Sequence, residues 1–231
     1  MKIKIWTVND VMTTAVVTVV PDTPYRGVVD LLVSHRFSAV PVVDDFQRVT
    51  GVVSEADLLR KIEYAGAEEP RLFEGRRRRG ERVKAAARTA ADLMSKPPVT
   101  VLTGTSVPAA ARLMDNEGVK RLPVVDDLGR LVGMVSRGDL LKVHLRPDDE
   151  IYADVRAGVL EPFMADEIEE VNVTVEDGLV TLTGKVDRWS TTDIADRLIR
   201  QIAGVVEVVD ELEYGYDDRN ILGTGIAYGI A

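Results

Sequence analysis

Two stretches of the chain set out nearly the same order of apolar and polar positions. Residues 41–59 read PVVDDFQRVTGVVSEADLL, and residues 123–141, 82 positions later, read PVVDDLGRLVGMVSRGDLL. The offset holds without a gap: Met12 falls on Met94, Thr23 on Thr105, Leu31 on Leu113, Gly51 on Gly133, Ser54 on Ser136 and Asp57 on Asp139. Each copy opens on a short apolar run, at 16–20 or 99–102, which predicts a strand. Thr23-Pro24 then supplies an N-cap and a proline at the first helical position. Val28, Val29, Leu31 and Leu32 follow at helical spacing, and Gly118 ends the matching helix of the second copy. Apolar runs at 40–43 and 49–53 flank a turn at Asp44-Asp45. The partner turn, Asp126-Asp127-Leu128-Gly129, has the better turn residues. A second helix starts at Ser54 and carries Leu58, Leu59 and Ile62. The order strand, helix, strand, strand, helix thus occurs twice. A unit this small buries little core by itself, so the copies are expected to pack on each other.

A different pattern follows the hinge at Arg146-Pro147-Asp148-Asp149. Ile151, Val155, Val159 and Leu160 predict a helix that stops near Pro162. Val171, Val173 and Val175 alternate with polar residues, as on a half-buried strand. Asp177-Gly178 signals a hairpin. The return strand carries Val180, Leu182 and Val186, with Gly184 available for a bend or a close approach. Ile194, Ala195, Leu198, Ile199 and Ile202 mark an amphipathic helix over 192–203, ended by Gly204, and 205–212 forms a last strand. The order is helix, strand, strand, helix, strand. The chain then divides into repeats at 7–63 and 89–145, a linker at 64–88, a third domain at 148–216 and a tail at 217–231.

Composition narrows the chemistry. The chain has 231 residues, 45% hydrophobic and 29% charged, with a net charge of −9. That length suits one large domain or two to three small ones. No apolar run is long enough to span a membrane. The opening residues MKIKIWTVND lack a long apolar stretch and a small-residue cleavage site, so no secretory signal is expected. With no cysteine, disulfide and thiol chemistry are excluded, and a cytoplasmic location is expected. Two histidines, His35 and His144, are too few and too far apart for a zinc site. No nucleophile–base pair and no phosphate-cradling glycine loop is present. Neither catalytic residues nor a required cofactor is expected.

The run DVMTTAVVTV…TP…HRFSAVPVVDD…GVVSEADLL resembles a cystathionine-β-synthase (CBS) domain, and the second copy resembles it equally. The resemblance implies an α/β fold of two βαββα repeats closed into a pseudo-twofold Bateman module. Its two clefts commonly bind adenosine-containing ligands: AMP, ADP, ATP or S-adenosylmethionine. Such modules are regulatory and often homodimeric. Ser54…Asp57 and Ser136…Asp139 by spacing alone read as capping boxes. The resemblance sets the same acids on a ribose, whose two hydroxyls donate to a carboxylate. Carried over by position, one cleft joins Val17, Phe37 and Ser38 to Ser136 and Asp139, with Arg121, flanked by Lys120, toward phosphate. The mirror cleft joins Val99, Val119 and Lys120 to Ser54 and Asp57. The Asp139 cleft ranks first. Lys120 and Arg121 also fit a second reading, cations that protect an exposed strand edge.

The linker carries four arginines at 76–79, then Arg82, Lys84 and Arg88. It reads as a solvated segment with a helical turn near 81–87. A polyphosphate contact stays open, and no aromatic platform argues for nucleic acid. VEDGLVTLTGKV…IAGVVEVVDEL resembles a BON domain, which implies a small α+β fold with αββαβ order. It also implies attachment to phospholipid or to a protein partner. Acids such as Glu167, Glu169, Glu170 and Glu207 oppose contact with anionic lipid. The expected function is a non-catalytic sensor of an adenosine-containing ligand, relayed through the third domain. The alternative is a scaffold or adaptor in which the repeat pair only dimerises.

Overall fold

The computed structural model describes residues 6–63, 87–165 and 167–219. The four arginines at 76–79 and the tail from 220 lie outside the described residues. The chain divides into two compact units. The first spans Thr7–Leu140, and the second begins at Leu141 and takes in Trp6.

In the first unit, copy one comprises α1 (Val8–Val11), α2 (Tyr25–His35), β1 (Ala39–Val43), β2 (Val49–Ser54) and α3 (Glu55–Glu63). Copy two comprises α4 (Ala90–Leu93), β3 (Val101–Leu102), α5 (Val107–Asn116), β4 (Arg121–Val125), β5 (Leu131–Ser136) and α6 (Arg137–Leu141). The strand pairs β1–β2 and β4–β5 are antiparallel, with a register shift at matching positions. The expected first strands are mostly missing. Copy one keeps a single parallel bridge, Val19 to Val42, and copy two keeps the two residues of β3 beside β4. Proline explains the shortness: Pro21 ends one run, and Pro97-Pro98 removes two N–H donors just before the other. Helix α2 also starts one residue later than expected, with Pro24 as its N-cap. The Thr23 hydroxyl accepts a bond from the Val20 N–H (3.1 Å) instead of capping. Gly118 ends the α5 region at φ +63°, and Arg36 takes the same left-handed conformation after α2.

The copies are interlaced. Thr7 bridges Ser106 while Pro24 bridges Thr89, and Thr13 bridges Met134 while Val52 bridges Ser95. Each couple repeats at the 82-residue offset with the roles of the copies exchanged, so a pseudo-twofold axis relates them. Arg48 bridges Arg130, its own counterpart, on that axis. The cause lies partly in glycine. A Cβ on Gly51 would come within 2.3 Å of Met94 Sδ, and one on Gly133 within 2.5 Å of Met12 Sδ. A bare backbone there lets each methionine of one copy lie on the other copy's sheet. Ala90, Leu93 and Met94 accordingly share a core with Val28, Leu32, Val40, Val42 and Val53. Leu58 of α3 joins it, whereas Leu59 and Ile62 stay exposed (52% and 70%).

The second unit opens on a 3₁₀ turn (Lys142–Leu145) and α7 (Asp148–Val155). The helix runs on through a π turn (Arg156–Leu160) to Glu161–Phe163 and ends there, one residue past Pro162. There the Glu161 N–H reaches back five residues to Arg156, the wider spacing of a π bulge. Strands β6 (Val171–Glu176), β7 (Leu179–Arg188) and β8 (Glu207–Tyr216) form one sheet with β7 central. β6 is antiparallel to β7, and β8 is parallel to it, joined by α8 (Trp189–Ile199). Asp177 and Gly178 both have positive φ (49° and 75°), as a two-residue hairpin requires. Asp148 accepts both their N–H groups, at 2.8 and 2.9 Å, which ties the start of α7 to the hairpin. Gly184 has φ +121°, and a Cβ there would lie 2.0 Å from the Glu170 carbonyl oxygen. Helix α8 starts three residues earlier and ends four residues earlier than the pattern predicts, yet Ile202 beyond it is buried, while Ile194 is 43% exposed. Arg146 anchors the opening turn: it donates to Ala203 O (2.6 Å) and Asp154 (2.8 Å) and lies over the Trp6 ring.

Candidate functional site: two clefts between the repeats

Strand β2 delivers Ser54 to the start of α3, and β5 delivers Ser136 to the start of α6. The N–H and hydroxyl of Ser54 donate to Asp57 Oδ2 at 2.9 and 2.7 Å. Those of Ser136 donate to Asp139 Oδ2 at 2.9 and 2.6 Å, and the Asp139 N–H returns a bond to Ser136 Oγ at 3.2 Å. Both acids are therefore helix caps. They also border cavities. A carboxylate offers about four lone-pair sites.

One cavity, of about 260 Å³, lies between the copies. Ser54 and Asp57 line it from copy one, and Pro98, Val99, Val119, Lys120 and Arg121 from copy two. Ser38 and Ser95 line it as well. Asp57 is 5% exposed there. A second cavity, of about 80 Å³, is lined by Val17, Phe37, Arg121 and Asp139, among others. The grouping of Ser54, Asp57, Val99, Val119 and Lys120 matches the mirror cleft read from the sequence. The Asp139 cleft differs from its reading. Ser38 borders the Asp57 cavity instead, Lys120 lines that cavity alone, and Ser136 does not line the smaller one. The Asp139 cleft was expected to lead, but the larger cavity is at Asp57. Phe37, stacked on His35 at 5.2 Å, lines the smaller cavity, and its counterpart in the second copy, the smaller Val119, lines the larger one.

Arg121 opens β4 beside Lys120. Its Nε donates to Ser38 Oγ of the other copy at 2.7 Å. The adjacent cations are thus neither both buried nor simply a strand edge: Arg121 is half-buried and Lys120 exposed, and both face a cavity. The turn acids do other work. Asp44 accepts the N–H groups of Phe46 and Arg48, and Asp126 those of Leu128 and Arg130. The Arg48 N–H holds the Asp44 carboxyl below the usual range, and the Arg130 side chain does so for Asp126.

The CBS domain family matches residues 8–64 and 90–146, and the BON domain family matches 147–216. A CBS domain-containing protein of Dictyostelium discoideum is 30% identical over 139 residues, 60% of this chain and 91% of that one. The chain belongs to the CBS domain family. Its CBS pair is followed by a BON domain. The chloroplastic CBS domain-containing protein CBSX2 of Arabidopsis thaliana is 32% identical over 153 residues, 61% of this chain and 64% of that protein. This chain therefore spans less than two thirds of that relative's length. A crystal structure of CBSX2 in complex with AMP matches with a TM-score of 0.54 at 32% identity, covering 61% of this chain and 97% of that one.

The CBS reading of the sequence omitted Ser95, Pro97, Pro98 and Gly118, which also line the larger cleft. Pro97-Pro98 carried a signal: a proline pair ahead of a short apolar run marks backbone kept out of a ladder. Among the described residues no group of three or more His, Cys, Asp or Glu could hold a metal ion, and no described helix is long and apolar enough to cross a membrane.

Proposed function

We propose that the CBS pair binds an adenosine-containing ligand in the Asp57 cleft and acts as a regulatory, non-catalytic module whose state is relayed through the BON domain. The observation that carries this reading is one cavity bordered by complementary groups. Asp57 suits the ribose hydroxyls, Val99 and Val119 an adenine face, and Lys120 with Arg121 a phosphate. Ligand sites are typically apolar with a few convergent polar groups, in volumes of roughly 300–1,000 Å³, so a cavity near 260 Å³ is at the small end. The AMP complex of CBSX2 supports the ligand class. AMP, ADP, ATP and S-adenosylmethionine are the candidates.

Calorimetric titration with AMP, ATP and S-adenosylmethionine tests the reading. Asp57→Asn, which keeps an oxygen for the Ser54 cap, is expected to weaken binding about tenfold or more, the worth of a hydrogen bond to a charged group. Lys120→Ala is expected to weaken AMP and ATP but not adenosine. An absence of heat with every adenosine compound overturns the proposal.

A second reading, a scaffold in which the CBS pair only joins two chains, draws on the exposed Leu59 and Ile62 of α3. Sedimentation separates the two. The scaffold requires a dimer that Ile62→Glu disperses, with no nucleotide bound.

A further inference from the structure

The two clefts share a cation. Of the residues lining the cavities, only Ala39 and Arg121 border both. They are counterparts at the 82-residue offset, so the pseudo-twofold axis that gives each cleft its own aspartate gives the pair one guanidinium. Arg121 is held at the boundary by its 2.7 Å bond to Ser38, whose counterpart is Lys120. A guanidinium grips a phosphate through two parallel N–H bonds in one plane. It cannot do this toward two clefts at once.

Building on the nucleotide reading above, we propose that Arg121 makes the two clefts compete for phosphate-bearing ligands, so that a phosphorylated nucleotide in one lowers the affinity of the other. The Asp57 cleft fills first, because Lys120 supports Arg121 there. A phosphate in that cleft draws the Arg121 side chain to itself and leaves the Asp139 cleft with Phe37 and Val17 but without this cation. By linkage the penalty is mutual: a phosphate at Asp139 weakens the Asp57 cleft by the same factor. The device needs no movement of the sheets, only a choice between two directions for one side chain.

Single-cleft variants test this with AMP as the probe. Val99→Trp fills the Asp57 cleft and Val17→Trp fills the Asp139 cleft, each checked by its melting temperature. Val99→Phe and Val17→Phe replace them if a tryptophan destabilises the fold. Each single-cleft variant is expected to bind one AMP per chain, and adding Arg121→Gln is expected to weaken each about tenfold. The unmodified chain is expected to bind its second AMP at least tenfold more weakly than the corresponding single-cleft variant does. Two AMP molecules bound with the affinities of the single-cleft variants overturn the sharing. So does a loss on Arg121→Gln in only one of the two variants, or a variant cleft that takes no AMP while the other does. Failure of the nucleotide reading looks different: AMP and adenosine then give no binding in any form of the protein.

Discussion

Ser190 and Asp218 illustrate how a single pair sets a local property. The Ser190 hydroxyl donates to Asp218 Oδ2 at 2.6 Å and its N–H to Oδ1 at 2.9 Å, which fastens the chain after β8 to the first turn of α8. Arg188 is the N-cap of α8, and Asp193 pairs with Arg197. The Ser190 hydroxyl, followed by its N–H, holds the Asp218 carboxyl below its ordinary value of 3.8. A depressed folded value means the carboxylate stabilises the native state above the unfolded value, and that the contribution is lost as pH falls through the folded one. Unfolding of the protein by denaturant at pH 7 and in steps below pH 4 should therefore show a loss that Asp218→Asn lacks. Equal acid sensitivity in the two proteins would remove this role.

At the scale of elements, the two β-hairpins of the CBS pair make an internal comparison. Asp126 and Gly129 shape one turn, Asp44 and Gln47 the other, with the same side-chain bonds to backbone N–H groups. Gly129 has φ +76° and Gln47 has φ +61°. The left-handed region costs an L residue roughly 1–2 kcal/mol, and glycine avoids it while gaining entropy in the unfolded chain. Gln47→Gly is expected to raise stability by about 0.5–1 kcal/mol, read as a higher denaturation midpoint with unchanged slope. No gain would mean that the entropy glycine adds to the unfolded chain offsets the relieved strain. The short first strands belong to this scale too. Apolar runs next to prolines kept their burial, as at Val19 and Val101, but lost most of their ladder.

At the scale of the molecule, ligand binding and folding of the CBS pair should be one equilibrium, since the cleft is built from both copies. AMP at a hundredfold excess over its Kd is expected to stabilise the pair by about 2.7 kcal/mol. Differential scanning calorimetry reads this as a rise in one transition. An unchanged melting temperature at AMP concentrations shown by titration to saturate the protein would mean that the ligand binds folded and unfolded chains alike. The BON unit has its own core around Val155, Leu182 and Ile199, with the start of its helix tied to its hairpin by Asp148.

The amino-acid order alone determined the repeat, its 82-residue offset, the type and order of most elements other than α1, α4 and the first strands, and the acids at the two helix starts. These rest on local causes: apolar periodicity, turn residues and caps, all written within a few neighbouring positions. The Asp177-Gly178 hairpin and the close approach at Gly184 were legible for the same reason. Only the tertiary structure decided that Asp57, not Asp139, borders the larger space, because each volume depends on residues from both copies meeting across an axis the linear pattern does not contain. It alone showed Ser38 bonded to Arg121 from 83 residues away, and one guanidinium set between two clefts. Such facts depend on which side chains meet across interlaced copies, and no local spacing records that.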